Sequence, residues 1–188
     1  MAGSSEEANA TLLAHDHSEL DELLAGFFSA VTRGEVEQSF AQLDRFWARL
    51  AMHIRAEHLH LFPVLLRVLE RPPQEKPNDC PPSQVTRSTI SRLQEDHDYF
   101  MRELAAAVKQ LRELRTSAHG QESNVLLKVQ AQVEGVSRRL ETHNELEESQ
   151  VYPLADLLLA PADRISLNER MQRELTDLPA RFRSRESS

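Results

Sequence analysis

The chain has one cysteine, Cys80, in 188 residues, so no internal disulfide framework holds it together. A CxxC or four-cysteine metal site is excluded for the same reason. Glycine is scarce, at five residues, and aromatics make up only 5% while charged residues make up 28%, a balance that favours long helices over sheets. No apolar run is long enough to span a bilayer, and Met1–Ala10 is polar and acidic, without the pattern of a secretory signal. Positive charge is in deficit: 22 Lys and Arg face 30 Asp and Glu, a formal net charge of −8 with no basic patch. That disfavours nucleic acid or an anionic membrane as the main partner. The expectation is a soluble protein of the reducing cytoplasm, its length suited to one domain with a proper core.

What the chain does have is helical periodicity. Segment A, Thr11–Thr32, carries Leu13, His17, Leu20, Leu24, Phe28 and Val31 on one stripe, and Gly34 breaks it. Segment B, Val36–Glu70, carries Leu43, Phe46, Leu50, His53, Glu57 and Val64. Arg71–Pro82 then holds five of the nine prolines and reads as the one long linker. Segment C, Gln84–Ser117, carries Leu93, His97, Phe100, Leu104, Val108 and Leu111. A polar turn around Gly120 leads to segment D, Ser123–Leu159, with Val133, Val136, Leu140, His143, Glu147 and Leu154. Ser166-Leu-Asn-Glu169 has the form of a capping box opening a short fifth helix that Pro179 stops. Pro63 and Pro153 fall well inside B and D and predict a kink in each.

The segments repeat. Adding eighty maps Leu13, Asp16, His17, Leu20, Leu24 and Val31 onto Leu93, Asp96, His97, Phe100, Leu104 and Leu111. Adding ninety maps Leu43, Phe46, Leu50, His53, Glu57, Phe62 and Pro63 onto Val133, Val136, Leu140, His143, Glu147, Tyr152 and Pro153. The chain therefore reads as a duplicated helical hairpin, A-B then C-D. The expected fold is all-α: an up-down-up-down four-helix bundle of approximate two-fold symmetry with a short fifth C-terminal helix. The expected layout is a loose tail over 1–10, one bundle domain over 11–182 with its Pro-rich linker at 71–82, and a loose tail over 183–188.

Six polar residues stand on these stripes where a bundle wants leucine: His17, His53, Glu57, His97, His143 and Glu147. An ionised carboxylate taken out of water without a partner costs several kcal/mol or more, comparable to the stability of a whole domain. Two facing inward from opposing helices also repel. Either a proton or a positive charge must sit between them, and two divalent ions coordinated by neutral imidazoles are the simplest account of four His and two Glu in two-fold arrangement. A single core histidine would more often be hydrogen-bonded than liganding, and one HxxxE on a charged helix arises by chance. Two at matched positions, each followed by an aromatic-proline pair, do not.

Other candidates carry less. His15 lies across the helix from His17 and reads as solvent-facing, and His119 sits in a turn. His58 is one step past Glu57, as Glu148 is past Glu147, and either could orient a ligand. His60, seven residues after His53, returns to its face and is a candidate for an extra ligand or pocket residue. Cys80 reads as a surface thiol. Phe62 and Tyr152 read as core aromatics rather than redox groups, although a Tyr152 near a metal merits a check.

Mixed imidazole and carboxylate ligands suit iron, manganese or zinc rather than calcium or copper(I). HExxH is absent, and ferritin-like bundles place the histidine after the glutamate in Glu-x-x-His, the reverse of the order here. Asp16-His17, His53…Glu57 with Leu61-Phe62-Pro63, Asp96-His97, and His143…Glu147 with Tyr152-Pro153 together resemble the hemerythrin-like (HHE cation-binding) family over about Thr11–Leu159. The resemblance implies a non-haem di-iron centre bridged by Glu57, Glu147 and an oxo or hydroxo group, which binds O₂ reversibly or reacts with O₂, NO or peroxide. Where the animal oxygen carriers have a second histidine near the segment C ligand, this chain has Leu93 and Met101. Its segment D carboxylate follows His143 by four residues rather than their five. With four histidines iron has more open positions, which shifts weight from stable oxygen carriage toward reactivity, sensing or nitric-oxide chemistry. The expected function is a di-iron protein that binds or senses O₂ or a related small ligand. The alternatives are an enzyme acting on peroxide, O₂ or NO or serving iron–sulfur cluster repair, and a structural or signalling bundle with zinc or nothing in its site.

Overall fold

The computed structural model describes residues 9–72, 80–116 and 122–182, and these are helical with no strand among them. Helix α1 spans Asn9–Thr32 and α2 spans Val36–Ala56. Gly34, at φ +70°, makes the turn between them. Its N–H reaches Val31 O at 2.9 Å while Glu35 N–H reaches Ala30 O at 3.0 Å, the paired closure that a left-handed glycine allows at a helix end. The chain continues as α3 (Phe62–Leu69), then α4 (Ser83–Leu114), α5 (Glu122–Leu146), α6 (Tyr152–Leu158) and α7 (Pro161–Thr176). Two antiparallel hairpins, α1 with α2 and α4 with α5, close into a bundle through α2 on α4 and α1 on α5. Helix α7 packs along α2, the stretch of chain just after it, and α1.

The expected kinks take a specific form. Glu57–Leu61 joins α2 to α3 as a π-helical turn, and Glu147–Val151 joins α5 to α6 in the same way. A proline ring inside an α-helix clashes with the carbonyl four residues back and leaves that carbonyl without its N–H. Each turn widens just before the proline, so that Phe62 N–H reaches Glu57 O and Tyr152 N–H reaches Glu147 O, five residues back. The helix runs on, with one residue of extra register.

The fifth helix departs from expectation. It opens at Pro161, five residues before Ser166, because a proline in first position has its φ preset and lacks only an N–H that would be unbonded anyway. Ala160 O caps this end by accepting from Asp163 and Arg164 N–H, both at 3.0 Å. Ser166-Leu-Asn-Glu169 therefore lies inside the helix rather than at its start. At the other terminus α1 begins at Asn9, within the stretch expected to be a loose tail. Residues 1–8, 73–79, 117–121 and 183–188, with His119 and Gly120 among them, lie outside the described residues.

Packing divides the bundle lengthwise. One apolar cluster gathers Leu20, Phe27, Phe46, Leu50, Phe100, Leu104 and Leu140; the other gathers Leu13, Leu61, Phe62, Leu93, Val151 and Leu167. Each buried Leu or Phe contributes about 1.5–3 kcal/mol. Along α1, α2, α4 and α5 the sequence crosses from one cluster to the other at Asp16-His17, at His53–Glu57, at Asp96-His97 and at His143–Glu147. The polar residues thus form a layer between two oily plugs.

Candidate functional site

All six inward polar residues are buried in that layer, with Glu57 and Glu147 at 0% exposure. The helices bring them together as two histidine pairs and two carboxylates. His17 Nε2 lies 3.2 Å from His53 Nε2, and His97 Nε2 lies 2.9 Å from His143 Nε2. Each carboxylate reaches toward both pairs. Glu57 sets Oε1 at 3.6 Å from His53 Nε2 and Oε2 at 3.3 Å from His97 Nε2. Glu147 sets Oε2 at 3.5 Å from His17 Nε2 and Oε1 at 3.0 Å from His143 Nε2. Two groups, His17–His53–Glu147 and His97–His143–Glu147, have one donor atom from each member within 4.8 Å of the others, close enough to hold a metal ion.

A surrounding layer fixes the rings. His53 Nδ1 is 2.8 Å from Asp16 Oδ2, and Asp16 is held by the Arg49 guanidinium, whose Nε donates to Oδ1 at 2.8 Å. The second half repeats this more loosely: His143 Nδ1 is 3.4 Å from Asp96 Oδ2, and Arg139 Nε donates to Asp96 Oδ1 at 2.6 Å. His17 Nδ1 meets Glu148 Oε1 at 2.8 Å, while His97 Nδ1 meets His58 Nε2 at 2.9 Å. Such contacts turn the Nε2 side of each imidazole toward the centre. Burial raises the Asp16 carboxyl, but His53 and Arg49 outweigh it and hold its pKa below the ordinary value.

The electrostatics expose a charge problem. Burial, then the Glu147 charge, pushes Glu57 well above the usual carboxylate range. Burial acts on Glu147 too, but the charge and hydrogen bond of His143, with help from His17 and His53, win and hold it well below that range. Without a cation, then, one carboxylate keeps a proton and the other does not. Burial drives His97 down to about 2 and lowers His53 as well. His17 feels the same burial, yet Glu147 and Glu148 raise it. One oxygen on each carboxylate, Glu57 Oε2 and Glu147 Oε1, is buried without a hydrogen-bond partner. Orphaned carboxylate oxygens beside imidazole nitrogens are a donor set suited to a divalent or trivalent cation, so the residues fit a metal.

The other candidates fall outward. His15 is exposed beside Glu19, and Cys80 is half-buried at the edge of the second cluster. His60 does not join the layer: it lies against Glu174 of α7 at 3.6 Å, as expected once the π turn adds a residue between it and His53. Tyr152 was underrated by sequence reasoning. Its hydroxyl shares its proton between Glu57 Oε1 and Glu147 Oε2, each 2.9 Å away, and lies 3.2 Å from His17 Nε2. Burial, followed by the charges of Glu147 and Glu57, holds that phenol well above its usual range. The signal available in sequence was the hydroxyl of Tyr152 at the place where the other repeat has Phe62.

A cavity of about 590 Å³ between α1 and α5 has His17 and Glu148 on its wall, with Asp21, Glu141, Asn144 and Glu145 around them. No helix of the described residues is long and apolar enough to cross a membrane. Among known families, the hemerythrin HHE cation binding domain matches residues 8–155. No curated protein and no solved structure matches the chain.

Proposed function

Because this chain belongs to the hemerythrin HHE cation-binding domain family, we propose that it is a non-haem di-iron protein that takes up O₂ or a related small ligand such as NO or peroxide. His17 and His53 hold one iron, His97 and His143 hold the other, and Glu57 and Glu147 are shared between them. Bound iron supplies open coordination positions and redox chemistry at the ligand. The protein's part is to hold the imidazoles at fixed tautomer through Asp16, Asp96, Glu148 and His58, and to exclude bulk water with the apolar plugs above and below. The observation that carries the reading is the pair of fully buried carboxylates, each with an orphaned oxygen and each reaching both histidine pairs. Zinc or manganese would satisfy the same donors. The six donors are 0–4% exposed, and so enclosed a layer suits a diatomic or peroxide better than a bulky substrate.

The test is anaerobic reconstitution with Fe(II), elemental analysis, and absorption spectroscopy on opening to air. Two irons per chain and new near-ultraviolet and visible bands are expected; fewer than one iron per chain overturns the reading. Bleaching under vacuum marks reversible binding, whereas sustained peroxide consumption marks the enzyme instead.

A further inference from the structure

We propose that Tyr152 is a seventh protein donor, binding through Oη to the metal of the His17–His53 pair and to that metal alone. This rests on the di-iron reading and deepens it. Metal–nitrogen and metal–oxygen bonds of about 2.1 Å place neighbouring donors of an octahedron about 3.0 Å apart. Tyr152 Oη lies 2.9 Å from Glu57 Oε1, 2.9 Å from Glu147 Oε2, 3.2 Å from His17 Nε2 and 3.5 Å from His53 Nε2. Those four atoms are the two imidazole nitrogens of that pair and the carboxylate oxygens nearest them, Glu57 Oε1 at 3.6 Å from His53 Nε2 and Glu147 Oε2 at 3.5 Å from His17 Nε2. The distances are too long for Oη to stand at the centre of their shell and right for a corner of it.

The side chain cannot easily be elsewhere. Tyr152 opens α6 just after the π turn, is 0% exposed, and its ring lies 5.8 Å from that of His17. The opposite half has no such oxygen. Phe62 takes the matching place, 1% exposed and stacked 6.1 Å from the His97 ring. One metal is thus offered an oxygen that the other is denied. On binding Fe(III) the Tyr152 O–H bond breaks, an Oη–iron bond forms from the oxygen lone pair, and the proton leaves to solvent. No electron moves in that step; dioxygen from air is the oxidant that makes the iron ferric beforehand.

The experiment compares the wild-type protein with Tyr152→Phe and Tyr99→Phe, each loaded with Fe(II) and opened to air. Phenylalanine suits position 152, since the chain itself packs one at 62. Wild type and Tyr99→Phe should show a phenolate-to-iron band in the visible and resonance-enhanced tyrosine ring vibrations. Tyr152→Phe should keep two irons and lose both signals. Ring-deuterated tyrosine should shift those vibrations in the wild type, which decides the matter even if the variant does not fold. Two irons in the wild type without tyrosine ring modes overturn the proposal and leave the di-iron reading standing. So does a band that persists in Tyr152→Phe. Failure of the wild type to take up iron overturns both.

Discussion

The two halves of this bundle present the same set of histidines and carboxylates to the centre and differ in what surrounds it. Both supply a histidine from one helix and a His-x-x-x-Glu from the next, an arginine–aspartate pair behind one imidazole, and a π turn before a proline. Behind His17 stands the carboxylate of Glu148; behind His97 stands the imidazole of His58. Beside the first pair is Tyr152, beside the second Phe62. Asp21 and Ser137 line an open cavity on one side, whereas their counterparts Met101 and Trp47 pack against the core on the other. Helix α7 lies mainly on the first half, where its Leu175 O accepts from Arg49. The likeness keeps two carboxylates between two imidazole pairs, and the differences give those pairs unequal neighbours and access.

The broadest way to break the likeness is to remove its shared element. Glu57→Ala or Glu147→Ala should each take the metal content from two ions per chain to none, read by elemental analysis. A variant that still holds both ions ends the idea of shared carboxylates.

Proton linkage offers a sharper comparison, in the metal-free protein. His97 stays neutral when folded, with its pKa at about 2 against 6.5 unfolded, so protons bind the unfolded chain as pH drops below 6.5 and stability falls. His17 is raised, so its contribution is complete below 6.5 and lost as pH rises through its folded value. His97→Gln should therefore flatten the acid side of the stability profile, by about 1.4 kcal/mol per pH unit down to pH 4. His17→Gln should flatten only the side above 6.5. Urea midpoints across pH 4–9 would reveal the same slope change in both variants if the halves are alike.

A smaller effect is expected at the outer contacts. Glu148→Gln removes a charge-assisted partner of His17 and should weaken metal binding by about tenfold. His58→Gln should weaken it less, both measured by competition with a chromophoric chelator. Equal losses would make the Glu148–His58 difference inconsequential. The arginine pair affects stability rather than affinity. Arg49 is 19% exposed and anchors Asp16, Glu19 and Leu175 O, whereas Arg139 is 44% exposed and anchors Asp96. Arg49→Ala should cost about 1–2 kcal/mol and Arg139→Ala about half that, by thermal unfolding without metal.

Much of the fold was legible because its cause is local. The 3.6-residue repeat places Leu13, His17, Leu20 and Leu24 on one face whatever they later meet, and four such stripes with short connections leave few arrangements. The six inward polar residues could be read in the same way, and the structure draws them into one layer. The π turns could not. Proline announced a disturbance at 63 and 153, but whether a helix bends or widens depends on packing on both sides of it. That extra residue is also why His60 leaves the face on which simple counting put it. The start of α7 was misjudged because Ser166 and Glu169 have the right spacing for a cap, yet Pro161 begins the helix first.

The order of residues alone determined that this chain is helical, duplicated, and lined with histidine and glutamate along its inner faces, since which way a side chain points from a helix follows from counting. Which atom it meets there is a property of other helices far away in the chain. Tyr152 against Glu57, Glu148 against His17 and His58 against His97 join residues 95, 131 and 39 positions apart, and only packing could bring them within a hydrogen bond. Counting decides direction; assembly decides distance, and the chemistry of a buried charge depends on distance.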